Sequence, residues 1–202
     1  MQELVFATHN EHKAHEIQAL LSHKYRILSL DEVNFQEPVP EVENSLEGNA
    51  SQKAWYVYNR LGKDCFADDT GLEVDCLKGA PGVYSARYAD LTNELKHGES
   101  ASEANIRKLL SQMHGQTNRK AQFRTIIALI LDGKDYFFEG KVEGMILEGK
   151  KGWGGFGYDP VFLPSGYPDT FAEMSLEQKN IISHRALAVK KLVTFLKKYR
   201  NG

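Results

Sequence analysis

Four stretches of the chain gather side chains that could do chemistry. The first, Thr8-His9-Asn10-Glu11-His12-Lys13, follows the apolar run Leu4-Val5-Phe6-Ala7. A strand ending there and opening into a helix would turn free backbone N–H groups outward, and a lysine adds full charge, an arrangement able to hold phosphate. A helix cap made by Thr8 or Asn10 accounts for the same residues, because the glycine-rich phosphate-loop spacing is missing. The second stretch is Ala67-Asp68-Asp69-Thr70-Gly71. Adjacent carboxylates alternate sides of an extended chain, and one at a strand end can bind Mg²⁺ or accept a proton from water. Asp-Asp before Thr-Gly is equally good turn chemistry. The third is Trp153-Gly154-Gly155-Phe156-Gly157-Tyr158-Asp159-Pro160, where glycines admit a ligand to the backbone and an aromatic offers a stacking face. A hairpin loop with one buried aromatic fits it as well. The fourth is Ser183-His184-Arg185 with Lys179 one helical turn earlier, a rigid fork of donors for carbonyl or phosphate oxygens or, more blandly, a surface cap. Glu41 and Glu43 could add a carboxylate to a metal held by Asp69, or could simply be solvated.

Positioning these residues requires elements that the periodicity predicts. Leu4 to Ala7 and Tyr25 to Leu30 read as strands, with a helix between them carrying Ala14, Ile17, Leu20 and Leu21 inward. Pro38 and Pro40 favour an extended loop from Asn34 to Asn44. Ser45 caps a helix with Leu46, Ala50, Ala54, Val57 and Leu61 on its apolar face and Gly62 at its end. The opposite face, Asn49, Lys53, Tyr56 and Arg60, reads as solvated unless it lines a site. Cys65-Phe66-Ala67 is a brief strand interrupted at Asp68 to Gly71, and Leu72 to Cys76 is a half-buried one. Ser100 and Ser175 match capping boxes. Ala121 to Leu131 and Tyr136 to Leu147 form a hairpin turning at Asp132-Gly133-Lys134, Gly149 to Pro160 is a glycine-rich loop, and a final helix runs from about Arg185 to Tyr199.

The chain has 202 residues, 42% hydrophobic and 26% charged, with a net charge of −2. That is enough for one α/β body with a mixed sheet, and too neutral for bulk binding of a phosphate backbone. Neither a membrane span nor a secretory leader is read, so a cytoplasmic protein with no nucleic-acid or membrane partner is expected. Cys65 and Cys76 lack metal-ligand spacing and read as core residues. A serine hydrolase is disfavoured because no Gly-x-Ser-x-Gly elbow is present.

In combination the stretches change this reading. The chain resembles the inosine triphosphate pyrophosphatases, also called dITP/XTP pyrophosphatases, through Phe6 to Lys13, Gly48-Asn49-Ala50 with Lys53, Ala67 to Leu72, Gly79 to Tyr88, Gly155 to Pro160 and Ser183 to Arg185. The segments run in family order along nearly the whole chain. The resemblance implies a single domain over residues 1–202: an elongated mixed sheet flanked by helices, with two lobes, an active-site cleft between them and a homodimer. It implies Mg²⁺-dependent hydrolysis of ITP, dITP and XTP to the monophosphate and pyrophosphate. By motif, Thr8, His9, Asn10, Glu11, His12 and Lys13 would hold the phosphates with Lys53. Asp69 would take the metal and the proton, beside Thr70. Phe156, with Gly157 and Tyr158, would stack on the base, and Asp159, Lys179, His184 and Arg185 would surround its edge. The family's acidic metal ligand falls in Pro40-Glu41-Val42-Glu43-Asn44, where the usual Thr-Gly is lost; Glu41 is the choice and Glu43 the alternative. Two other functions fit the residues less well: a pyrophosphatase acting on pyrimidine or modified nucleotides, and a non-catalytic nucleotide binder.

Overall fold

The computed structural model describes residues 2–10, 13–14, 17–18 and 25–199. Its strands are β1 (Gln2–Phe6), β2 (Tyr25–Leu28), β3 (Cys65–Val74), β4 (Pro81–Gly82), β5 (Lys120–Leu131), β6 (Lys134–Ile146) and β7 (Phe162–Pro164). Its helices are α1 (Leu46–Leu61), α2 (Ala101–Gln112), α3 (Leu176–Ile182) and α4 (His184–Tyr199); Lys13, Ala14, Ile17 and Gln18 are also helical. The strands form one sheet in the order β2-β1-β3-β5-β6-β7, with β4 paired to β3. Strand β1 runs parallel to β2 and β3, whereas β4 on β3 and β7 on β6 are antiparallel, so the sheet is mixed and the class is α/β, as the sequence implied.

The chain divides into two compact units. The first comprises Met1–Asp69, Thr125–Gly140 and Asn180–Gly202; the second comprises Thr70–Arg124 and Lys141–Lys179. In the first, Leu4 and Phe6 of β1, Phe66 of β3, Ile127, Leu129 and Leu131 of β5 and Ala188, Val189, Leu192 and Leu196 of α4 make a continuous core. Phe6 and Phe66 stack with centroids 4.6 Å apart. In the second, Phe123, Phe162 and Phe171 form an aromatic cluster, and α2 buries Ala104, Ile106 and Leu109.

Local chemistry explains the boundaries. Ser45 Oγ accepts from Gly48 N at 3.0 Å to start α1, and Gly62 ends it in the left-handed conformation. Ser100 and Glu103 form the reciprocal box opening α2. The hairpin joining β5 and β6 turns on two residues, Asp132 (φ 50°) and Gly133 (φ 71°), the geometry that matches strand twist.

Three expectations need correction. Strand β3 runs unbroken through Asp68 to Gly71, because each acidic side chain meets cations on its own side and no turn is needed. Cys76 is half-buried in a 3-10 turn rather than a core residue, while Cys65 is fully buried and burial pushes its thiol up to about 12. The polar face of α1 is not solvated throughout: Asn49 and Lys53 are 1% and 4% exposed. Leu20 and Leu21 lie outside the described residues.

Candidate active site

The first unit assembles an ionic cluster from five parts of the chain. Asp68 and Asp69 are consecutive on β3 and so project to opposite sides, yet both are buried. Each has its own partners. Lys13 Nζ donates to Asp68 Oδ1 at 2.9 Å, and Arg185 Nε, from the first turn of α4, donates to Asp68 Oδ2 at 3.1 Å. Lys53 Nζ, from α1, donates to Asp69 Oδ1 at 3.0 Å and to Glu41 Oε1 at 2.6 Å, while Asn49 Nδ2 donates to Asp69 Oδ2 at 3.2 Å.

Arg185 is brought in by a close approach of β6. A Cβ on Gly140 would lie 1.9 Å from His184 O and 2.5 Å from Ala188 N, so only glycine lets the strand press against the start of α4. His184 and Arg185 are thereby held at 4% and 2% exposure.

Electrostatics separates the two aspartates. Burial would raise Asp68, but Lys13 and Arg185 overcome it and hold its carboxyl far below the carboxylate range. At Asp69 burial prevails over Lys53, and its carboxyl is raised, making it the better proton acceptor of the pair. Burial lowers Lys13 despite Asp68; it would lower Lys53 too, but Asp69 and Glu41 raise it instead. Glu41, which burial would raise, is held low by Lys53.

Before this cluster, Thr8 Oγ1 accepts from Asn10 N at 3.1 Å and Asn10 Oδ1 accepts from Lys13 N at 3.2 Å. Thr8 and Asn10 thus shape the turn that delivers Lys13, with Asn10 exposed at its surface. His9 contacts Asp31 Oδ1 at 3.4 Å and Glu37 O at 3.3 Å. Glu11 and His12 lie outside the described residues.

The second unit makes a smaller cluster on the glycine-rich loop. Asp159 Oδ2 accepts from Phe156 N and from Lys179 Nζ, both at 2.8 Å. The Lys179 ammonium lies 4.9 Å from the centroid of the Phe156 ring, which is half-buried. Asp159 and Lys179 are almost fully buried, so the pair is fixed. Gly157 lies between Phe156 and Tyr158 with φ 61°. Tyr158 is 4% exposed and its hydroxyl donates to Ser85 O at 2.9 Å, so its polar end braces the loop from beneath. Thr70, the first residue of this unit, is half-buried on β3.

Of the residues singled out in the sequence, the structure therefore joins Lys13, Glu41, Lys53, Asp69 and Arg185 in one unit. It joins Phe156, Asp159 and Lys179 in the other. The side chain of Glu43 packs instead over the start of α1, its Cβ 2.8 Å from where a Cβ on Gly48 would lie. Asp68 and Asn49 lie in stretches singled out in the sequence but were given no site role of their own. The acidic doublet signalled the first, and the matching Gly48-Asn49-Ala50 segment signalled the second.

The family model described as Ham1 family matches residues 4–195. The chain belongs to the Ham1 family. Its relatives within it include proteins named dITP/XTP pyrophosphatase: one from Porphyromonas gingivalis is 53% identical over 97% of this chain and 98% of that one. Another, from Bacillus licheniformis, is 43% identical over 97% of this chain and 98% of that one. Among solved structures, the Ham1 protein of Staphylococcus aureus superposes with a TM-score of 0.85 at 38% identity, covering 98% of this chain and all of that one. Membership in the Ham1 family accounts for the mixed sheet flanked by helices and for the order of the motifs.

Proposed function

We propose that this protein is a nucleoside triphosphate pyrophosphatase that hydrolyses dITP, XTP and ITP to the monophosphate and pyrophosphate, clearing deaminated purines from the nucleotide pool. The observation that carries it is the buried Asp69 sharing the Lys53 ammonium with Glu41, in a chain 53% identical to a protein named dITP/XTP pyrophosphatase.

The residues fit a magnesium ion. Oxygens of Glu41 and Asp69, from separate parts of the chain, converge on the same ammonium, so they present hard anionic donors to one cationic point. Two carboxylates completed by water and substrate phosphate oxygens are the usual magnesium site. When bound, the ion neutralises charge on the triphosphate and its leaving group. Glu41, rather than Glu43, is the second carboxylate.

The remaining chemistry belongs to the side chains. Asp69 orients a water and takes its proton as the water oxygen bonds to the α-phosphorus. The bond from that phosphorus to the bridging oxygen breaks, and pyrophosphate leaves with the electron pair. Lys13, Lys53 and the turn from Thr8 bind the phosphates and lower their repulsion toward the water. Lys179 beside Phe156 provides a fixed donor for the 6-keto oxygen of hypoxanthine or xanthine, whereas the 6-amino group of adenine faces it donor to donor. An unmade buried hydrogen bond costs about 1–3 kcal/mol, or roughly 5- to 150-fold in discrimination.

The family resemblance also supports a cytoplasmic homodimer; light scattering on the purified protein tests the assembly. Among the described residues, no helix is long and apolar enough to cross a membrane. A nucleotide panel with Mg²⁺ or chelator, scoring pyrophosphate against orthophosphate, tests the activity. Pyrophosphate from dITP and XTP, lost with chelator, is expected. A preference for dTTP or UTP would favour the pyrimidine reading, and nucleotide binding without turnover would make the protein a binder.

A further inference from the structure

Asn49 is 1% exposed, and both ends of its amide are engaged by the same cluster. Its Oδ1 accepts from the backbone N–H of Glu43 at 2.9 Å, and its Nδ2 donates to Asp69 Oδ2 at 3.2 Å. An N–H can only donate, so the oxygen must face Glu43 and the NH₂ must face Asp69. The amide thus bridges the acidic loop to strand β3. One residue along the loop, Val42 N donates to Gln52 Oε1 at 3.0 Å, from the next turn of the same helix. Gly48 completes the seat: a Cβ there would lie 2.8 Å from Glu43 Cβ and 3.1 Å from Glu43 Cγ, so only glycine lets the loop rest on α1. These contacts fix the backbone immediately after Glu41, whose carboxylate shares Lys53 with Asp69.

We propose that Asn49, assisted by Gln52, is a positioning residue that sets the Glu41 and Asp69 carboxylates at the spacing required by a divalent cation. This rests on the pyrophosphatase reading above but assigns a role that reading does not contain. The amide of Asn49 is engaged by Asp69 and by the backbone of the acidic loop. It acts by holding one ligand's carboxylate through a hydrogen bond and the other's loop through the backbone. Only an amide of this length supplies an acceptor to the loop and a donor to the aspartate together. Alanine supplies neither.

The test is titration of the nucleotide-free protein with Mn²⁺, followed by electron paramagnetic resonance, alongside thermal melting and steady-state kinetics. Residues that orient metal ligands typically shift affinity 10- to 100-fold, so Asn49→Ala should weaken Mn²⁺ binding by about that factor while the nucleotide KM at saturating metal moves by less than about threefold. Gln52→Ala removes only the outer loop bond and should weaken Mn²⁺ by a smaller factor, which keeps the proposal testable if Asn49→Ala fails to fold. A lower melting temperature in a folded Asn49→Ala with unchanged Mn²⁺ affinity would make Asn49 merely structural and overturn the proposal. So would an unchanged affinity in Gln52→Ala, were that the only variant to fold. Glu41→Gln and Asp69→Asn provide the separate control. If they too leave Mn²⁺ affinity untouched, the cation assignment itself fails, whereas a loss confined to them removes only the role of Asn49.

Discussion

The ionic cluster of the first unit and the Phe156–Asp159–Lys179 cluster of the second use the same bond types for opposite ends. In the first, Lys13, Lys53 and Arg185 balance Asp68, Asp69 and Glu41, and the balance is uneven: one aspartate is held low and its neighbour raised. In the second, one closed ion pair fixes an aromatic ring and its backbone. Carboxylates with divergent proton affinities in one cluster suit acid–base work, and a neutralised pair beside a ring suits recognition. Substitutions in the first should therefore act on turnover or stability, and those in the second on binding and choice of base.

The largest effect expected is on turnover. Asp69→Asn should cut kcat by about 10²–10⁴, the span typical of a general base, with a melting temperature close to that of the parent. Near-normal turnover would erase the contrast between the two aspartates. Asp68→Asn should instead destabilise by about 3–5 kcal/mol, since it strands Lys13 and Arg185 in a buried site, and denaturant unfolding reads this directly. The same pair sets an acid limb. Asp68 titrates lower in the folded protein than unfolded, so the unfolded state binds more protons and stability rises with pH. This contribution is complete above the unfolded value of about 4 and is lost as pH falls toward the folded one, so the limb should be shallower in Asp68→Asn.

In the second unit the effects are smaller and of another kind. Phe156→Ala should raise the dITP KM by roughly 5- to 150-fold, the equivalent of about 1–3 kcal/mol of stacking, with a lesser change in kcat. Lys179→Met combined with Asp159→Asn avoids stranding a buried charge and leaves an amide oxygen for Phe156 N. Its dITP over dATP preference should shrink by roughly 5- to 150-fold, and an unchanged ratio of kcat/KM values would remove Lys179 from base selection.

Most elements were legible because they are locally determined. The Ser45 cap, the Ser100 box and the Asp132-Gly133 turn each act within a few residues. What periodicity could not supply was the burial of polar residues by distant partners. Asn49 and Lys53 sit where a solvated helix face belongs, and partners from outside the helix take them inside: Asp69, 20 residues from Asn49 and 16 from Lys53, and the loop of Glu41 and Glu43. The burial of Tyr158 was unreadable for the same reason, since its hydroxyl partner, Ser85, lies 73 residues away. Asp68 and Asp69 looked like a turn for the same reason, since the cations that keep β3 extended come from Lys13, Lys53 and Arg185. Motif order pointed to candidates that spacing left open, and the geometry puts Glu41 on the Lys53 ammonium that it shares with Asp69.

Hydrolysis of dITP in ¹⁸O-labelled water, with the products weighed by mass spectrometry, bears most directly on Asp69 guiding water to the α-phosphorus. The label should enter the phosphate of dIMP, leave the pyrophosphate unlabelled, and do so at a rate that collapses in Asp69→Asn. Label in pyrophosphate or orthophosphate, or labelling of dIMP at the parent rate in Asp69→Asn, would contradict it.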